Sequence, residues 1–371
     1  MRFPLVATCL FGLEHLLGEE IDALGYERIN TIDGRVTFFG DEEAVALSNV
    51  FLRYAERVYI KVGSFRAESF EELFEGTRKL PWADFIGKND AFPVKGHSIK
   101  SKLFSIPDCQ AIVKKAIVRS LSEPYGISIF PEDRVKCQVE FFILKDEVSL
   151  MIDTSGVPLH KRGYRKESNS APIRETLAAA IATLSRPREE VLLWDPMCGS
   201  GTIAIEAAMI MRGIAPGARR SFAGEEFPFI SREHWKYARE MARDSEHKSD
   251  FEVFASDIDK NAVSLTERNA KNAGVSDNIR AFISDCRKIS APGRRGTILT
   301  NPPYGERLGT LREVEALYRE MGAHFRSLSP WQAYIITSHE GFEKLYGKRA
   351  DKIRKLYNGM IPCYLYQYFK K

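Results

Sequence analysis

The sequence predicts an α/β protein in which a parallel sheet, covered by helices on both faces, forms the C-terminal half and mixed α+β units precede it. Three observations predict this. From residue 190 on, the short apolar runs EVLLW, FEVFAS, IRAFIS, GTILT and AYIIT alternate with helical patterns. Strands this apolar belong to parallel sheets buried on both faces. Before residue 154 the order is strand, helix, strand, strand, helix, strand, and then a second mixed segment. The chain, at 371 residues, is too long for one core, because domains run to about 100–200 residues.

The first segment opens with a strand over Phe3 to Cys9 and a helix over Leu13 to Leu24, then strands over Glu27 to Thr31 and Val36 to Phe39. A helix over Glu42 to Leu52 and a strand over Arg57 to Phe65 complete βαββαβ, the ferredoxin-like order. The second segment holds a helix over Phe70 to Lys79, a strand over Phe92 to Lys100 and a helix from Pro107 through Leu121. Its last two strands, Val135 to Leu144 and Glu147 to Ile152, are joined by Lys145-Asp146 and predict a hairpin. Residues 154–171, TSGVPLHKRGYRKESNSA, lose apolar periodicity and read as a linker. Pro172 is expected at the first position of a helix that continues over Leu177 to Leu184. Helices over Thr202 to Arg212, Lys260 to Ala273 and Arg312 to Leu328 separate the apolar strands. Gly213 to Asp250 reads as an insertion with its own helix around Trp235 to Met241, and the end, KIRKLYNGMIPCYLYQYFK, as an antiparallel pair turning near Asn358-Gly359.

Composition narrows the class. With 44% hydrophobic and 28% charged residues the chain is an ordinary globular one, not a disordered or collagen-like one. MRFPLVATCLFG is followed by Glu14, Glu19 and Glu20, so it reads as a first strand and not a leader. No apolar run reaches the roughly 20 residues that span a bilayer, so no membrane is expected. Six scattered cysteines without a C-x-x-C pair point to a reduced cytoplasm and no metal. Net charge is +4, but residues 1–50 hold 3 Lys/Arg against 9 Asp/Glu and residues 301–371 hold 12 against 7. A polyanionic partner should therefore avoid the first fifty residues.

The chemistry is concentrated where the C-terminal strands end. Asp195-Pro196-Met197-Cys198-Gly199-Ser200-Gly201-Thr202 follows a strand and opens a helix. Its glycines let backbone approach a ligand, and the N–H groups of the helix start favour an anionic group. The spacing is not that of the dinucleotide fingerprint, so a nicotinamide reading loses ground. The next strand ends at Asp257-Ile258, where an acid can accept both hydroxyls of a ribose; Asp259 is expected to cap the following helix. A third ends at Asp285-Cys286, where a carboxylate can accept from an adenine amino group. The plain alternative is that these are turn residues, with Cys198 and Cys286 as small apolar linings.

The fourth strand runs into Asn301-Pro302-Pro303-Tyr304. The lone pair of an exocyclic amino group is shared with its ring, so the group is a poor nucleophile. The Asn301 side-chain oxygen and the Pro302 carbonyl can accept its two hydrogens and steer the lone pair towards an electrophile. Pro303 stiffens the loop and Tyr304 offers a face for a flat base. The electrophile that fits is the sulfonium methyl of S-adenosylmethionine: its carboxylate suits the glycine turn, its ribose Asp257 and its adenine Asp285. Catalysis would rest on position and orientation.

DPMCGSGT, SDID, SDC and NPPYGERLG, in that order, together with LHKRGYR and APIRETLAAAI, resemble the THUMP-domain RNA guanine-N2 methyltransferases, close to the RlmL-like large-subunit rRNA enzymes and the related tRNA enzymes. The resemblance covers nearly the whole chain. It implies a ferredoxin-like domain over residues 1–64, an RNA-binding THUMP domain over 65–155 and a Rossmann-like class I methyltransferase domain over 165–371. It also implies that Thr176 lies beside the methionine end of the cofactor, and that RNA, ribosomal or transfer, is the partner. For RNA contact the expected residues are Lys161, Arg162, Tyr164 and Arg165, because four of the residues from His160 to Lys166 are Lys or Arg with an aromatic between them; a plain linker is the alternative. Lys95, His97, Lys100 and Lys102 could extend that face, and Arg307 could reach a phosphate. NPPY alone leaves adenine N6 open, in RNA or DNA, and an RNA-binding assembly factor is the non-enzymatic alternative.

Overall fold

The computed structural model describes residues 2–166, 172–290, 293–303, 310–328 and 330–370. Two seven-stranded sheets carry the chain. In the first half, β1 (Phe3–Cys9), α1 (Glu14–Ala23), β2 (Arg28–Ile32), β3 (Arg35–Gly40), α2 (Glu42–Phe51) and β4 (Ala55–Arg66) follow the expected βαββαβ order. Asp41 caps α2 by accepting from Ala44 N, which starts the helix immediately after β3. The next elements are α3 (Phe70–Arg78), β5 (Val94–Ile99), α4 (Ile106–Tyr125), β6 (Val139–Leu144) and β7 (Glu147–Asp153). The β6–β7 hairpin forms as expected, with Lys145 and Asp146 both at positive φ (52° and 68°), the geometry that suits the twist of paired strands.

The two N-terminal units share one sheet, in the order β2-β3-β1-β4-β7-β6-β5. The link is β4, twelve residues long, which pairs β1 along its first part and β7 along its last. The expected division at residue 64 therefore falls inside a strand that both units use.

The second half runs α5 (Glu175–Leu184), β8 (Leu192–Asp195), α6 (Thr202–Met211), α7 (Arg232–Ser245), β9 (Val253–Asp257), α8 (Lys260–Ala273) and β10 (Ile279–Ile283). It continues with β11 (Gly296–Thr300), α9 (Leu311–Ser327), β12 (Gln332–Thr337), α10 (Phe342–Tyr346), β13 (Lys352–Asn358) and β14 (Ile361–Tyr368). Strand order is β10-β9-β8-β11-β12-β14-β13. The first five are parallel and the last two antiparallel, as the apolar runs and the terminal hairpin predict. From β8 the chain adds strands on one side and then crosses to β11 on the other. That reversal opens a crevice beyond the carboxyl ends of β8 and β11.

Two local expectations are corrected. Pro172 is not the first helical residue: α5 starts at Glu175 with Arg174 as its N-cap. Residues 154–166 are not a free linker. Thr154 and Ser155 are fully buried, where Asn49 of α2 donates to Thr154 Oγ1 at 2.9 Å and accepts from Ser155 Oγ at 2.6 Å. The insertion helix α7 packs on α2, so it braces the two halves, and one apolar core runs from Phe3 to Leu365. All six cysteines are buried. Among the described residues no helix is long and apolar enough to cross a membrane, and no group of three or more His, Cys, Asp or Glu could hold a metal ion.

Candidate active site

The glycine turn after β8 is held from three directions. Asp195, at the end of β8 and 1% exposed, accepts from Met197 N at 3.2 Å and from Thr300 Oγ1 at 2.8 Å. Burial, opposed by these two bonds, pushes its carboxyl up to about 7. From β9, Ser256 O accepts from Cys198 N at 3.0 Å and Asp257 Oδ2 from Gly199 N at 3.0 Å. From α8, Thr266 Oγ1 donates to Gly199 O at 3.1 Å and Asn269 Nδ2 to Ser200 O at 2.9 Å.

Both glycines of the turn need their residue type, for different reasons. Gly199 (φ +53°) has no atom within 4 Å of where a Cβ would sit, so its backbone lies open to the crevice. Gly201 (φ +79°) would place a Cβ 2.7 Å from Thr266 Cγ2; it permits the close approach of turn and α8.

Over these strand ends lies a cavity of about 520 Å³. Of the residues singled out in the sequence, Asp195, Met197, Cys198, Gly199, Thr202, Asp257, Ile258, Asp285, Cys286, Asn301 and Pro303 line it. Four separate strands thus deliver their ends to one space. Ile258 is 69% exposed there, a bare apolar face suited to a flat ring. The open backbone at Gly199, the carboxylate at Asp257 and the apolar face at Ile258 fit the carboxylate, ribose and adenine of S-adenosylmethionine. At Asp285 the carboxylate already accepts from Arg287 Nε at 2.9 and 3.0 Å and from Nη2 at 2.6 Å, and these bonds hold it down at about 2.

The Asn301 loop is pinned on both sides. Thr300 is tied to Asp195, and Pro303 O accepts from Tyr318 Oη of α9 at 2.7 Å. Asn301 is half-buried and Pro302 buried. Tyr304 and Arg307 lie outside the described residues.

Several expected site residues sit elsewhere. Gly201 and Pro302 do not line the cavity. Neither does Thr176, which is buried and donates through Oγ1 to Glu56 Oε1 at 2.6 Å; that corrects its expected contact with the methionine end. Glu56 also takes His160 Nδ1 and Arg174 Nη1, each at 2.8 Å. Although burial alone would raise its pKa, these bonds hold it below the usual carboxylate range.

The expected RNA-contact residues need a larger correction. Arg162 is 5% exposed and donates to Leu159 O at 2.6 Å and Arg53 O at 2.5 Å, with its Nε 3.5 Å from the buried Glu206 of α6. Tyr164, 4% exposed, donates to Glu206 Oε1 at 3.1 Å, so it offers no stacking face. Arg165 pairs with Glu175 at 2.8 Å and donates to Ile173 O and Thr202 Oγ1, which places it behind the helix start of the glycine turn. Of the four, Lys161 alone is exposed. The physical reason is Glu206: a buried carboxylate between two domains requires cations, and the connecting segment supplies them.

The sequence reading also missed Thr266, Asn269 and Tyr318. A signal exists: each is a polar group on the buried face of an amphipathic helix, and such a group needs a partner.

Residues 162–367 match the RMKL-like methyltransferase domain family. Residues 4–59 match the RlmL ferredoxin-like domain and residues 67–153 the THUMP domain. The chain is 43% identical over its whole length to YpsC of Bacillus subtilis, named as a candidate RNA methyltransferase, and covers 97% of it. It is 32% identical over 96% of its length to the ribosomal RNA large subunit methyltransferase K/L of Psychromonas ingrahamii. It spans about half of that protein, 49%. Two solved structures superpose along the whole chain. One is a Listeria monocytogenes protein described as a predicted N6-adenine-specific DNA methylase (44% identity, 97% of that chain, TM-score 0.93). The other is a candidate methyltransferase in complex with SAH (40% identity, 98% of that chain, TM-score 0.93).

Arg162→Ala should lower the unfolding free energy by about 3–5 kcal/mol, because it leaves Glu206 buried without a full set of cations. Lys161→Ala should change it by less than about 0.5 kcal/mol; urea unfolding of both variants measures this. The raised carboxyl of Asp195 carries its own pH dependence. Its neutral form is the one the fold prefers, so this stabilisation is complete below the ordinary carboxylate pKa and lost as pH rises from about 4 through about 7. Asp195→Asn removes that loss, so its stability relative to the native chain should improve as pH goes from 5 to 8, read as urea midpoints at each pH.

Proposed function

The chain belongs to the RMKL-like methyltransferase family and uses S-adenosylmethionine; we propose that its acceptor is the exocyclic N2 of a guanosine in RNA, in 23S ribosomal RNA, and that it works in the cytoplasm. The observation that carries the reading is the placement of Asn301 on the same cavity as Gly199, Asp257 and Ile258.

S-adenosylmethionine, when bound, supplies a sulfonium methyl group. The chain's residues do the positioning. Gly199 leaves room for the methionine end, Asp257 accepts from the ribose hydroxyls and Ile258 covers one face of the adenine. Asp285 would take the adenine amino group once the grip of Arg287 is shared. On the acceptor side, Asn301 Oδ1 accepts one hydrogen of the amino group and the carbonyl of Pro302, next in the chain though outside the donor cavity, would take the other, which frees its lone pair to meet the methyl. Pro303 has no N–H to compete, and the bond from Tyr318 to its carbonyl keeps the loop from swinging away. The stacking face expected of Tyr304 lies outside the described residues. Asn301 is not a base, so the proton leaves to water as the new bond forms. A base taken from folded RNA must first be turned out of its stack.

RNA is favoured by the domain match over residues 67–153 and by the names of the Bacillus and Psychromonas relatives. Guanine over adenine rests on the large-subunit relative and on the family resemblance. The second reading, adenine N6, is favoured by the Listeria description. Nucleoside mass spectrometry of RNA treated with the enzyme and labelled cofactor separates them: labelled N2-methylguanosine is expected, and labelled N6-methyladenosine without it would refute the guanine assignment.

Two substitutions test the division of labour. Asn301→Ala should lower turnover about 10²- to 10³-fold, the usual loss when a positioned partner of the transition state is removed, with SAH affinity within twofold. Asp257→Ala should instead weaken SAH about 10- to 100-fold, since it loses charge-assisted bonds to the ligand and the anchor of Gly199. Isothermal titration with SAH and single-turnover assays read the two separately.

A further inference from the structure

At the opposite edge of the catalytic sheet, where β11 and β12 begin, lies a second cavity of about 880 Å³. It is bounded by Gly296 and Gln332 at those strand starts, by the end of β14, and by His15 and Glu19 of α1 from the N-terminal half. The donor crevice lies at the other ends of the same strands.

The side chains here carry one sign of charge. Arg186, Arg188, Arg295, Lys352, Arg354 and Lys370 all line the cavity, and the one acid among its described residues, Glu19, is already paired with His15 at 3.3 Å. Among the described residues none of the six cations has an ion-pair partner. Five form an exposed rim, and Arg354 is half-buried. Deeper in, the amide nitrogen of Gln367, a residue 4% exposed, and Nε of Arg354 are both buried without a hydrogen-bond acceptor among the described residues. Two buried donors that lack acceptors and a ring of unneutralised cations make the same demand, for an anion with several acceptor oxygens. Backbone geometry adds to this. Arg186 closes the turn after α5 at φ +53°, a place where glycine or asparagine is usual, and that keeps a long cationic side chain at the rim.

We infer that this cavity is a second ligand site, one that binds an oligophosphate, with Arg354 and Gln367 at its floor and Arg188 and Arg295 at its rim. Charge and volume fit a nucleotide-sized polyanion. The chemistry is shared by a free nucleoside triphosphate and by the phosphates of an RNA strand. Because the walls come from both halves of the chain, an occupant would also bridge α1 to the catalytic sheet.

The test uses the full chain and inorganic tripolyphosphate, followed by isothermal titration in low salt, with SAH binding and basal methyl transfer measured alongside. Saturable binding to the native chain is expected, weakened at least about tenfold in Arg354→Gln and in the rim pair Arg188→Gln/Arg295→Gln, with SAH affinity unchanged in both variants. The rim pair is exposed, so it reads the site even if Arg354→Gln folds poorly. Competition by ATP but not by a single-stranded RNA oligonucleotide assigns a free nucleotide as the occupant, and competition by the oligonucleotide assigns an RNA strand. Absence of saturable binding, or binding that survives both sets of substitutions unchanged, overturns the site.

Discussion

One buried carboxyl group joins the two halves of the chemistry. Asp195 ends the strand that feeds the glycine turn, and Thr300 ends the strand that feeds Asn301; the 2.8 Å bond between them spans the point where strand order reverses. Parallel strands pair along their backbones but leave their ends free to splay. The Asp195–Thr300 bond removes that freedom at the place where, on the proposed reading, donor and acceptor meet. Burial makes it consequential, since the same carboxyl also takes Met197 N and has no water to fall back on. Tyr318 does the equivalent on the far side of the Asn301 loop. A reaction that depends on holding a weak nucleophile against an electrophile needs such rigidity, because position supplies most of the rate.

The connection between the halves follows the same economy of polar groups. Glu206 is buried within α6, and Arg53, Arg162 and Tyr164 converge on it from the turn between α2 and β4 and from the connecting segment. Nearby, Glu56 of β4 gathers His160, Arg174 and Thr176. The catalytic sheet and the N-terminal sheet are therefore coupled by buried charge as well as by the shared apolar core. Any movement of one against the other would expose carboxylates whose partners sit across the seam, which favours the two halves presenting substrate and donor as a fixed pair.

Much of this was legible in the sequence because it rests on local signals. Apolar runs without alternation predict the parallel strands, Lys145-Asp146 the hairpin, and acids after strand ends the ring of carboxylates around the cavity. What escaped was the partner of each polar group. His160 to Lys166 has the composition of a nucleic-acid contact, and nothing local announces that Arg162 and Tyr164 turn inward to a glutamate 44 and 42 residues away along the chain. Thr176 likewise serves Glu56, 120 residues distant. The continuity of β4 between two units was hidden for the same reason, since pairing is a property of two strands and periodicity a property of one.

The claim on which the account turns is spatial: the Asn301 amide and the donor sulfur face one slot. Crystallisation of the full chain with SAH measures it directly. A methyl carbon, an acceptor nitrogen and one hydrogen bond fit between the SAH sulfur and Asn301 Oδ1 if the two are within about 8 Å, and the account predicts that separation with the ribose on Asp257. A sulfur bound well beyond that distance, or an Asn301 amide turned away from it, would contradict the account.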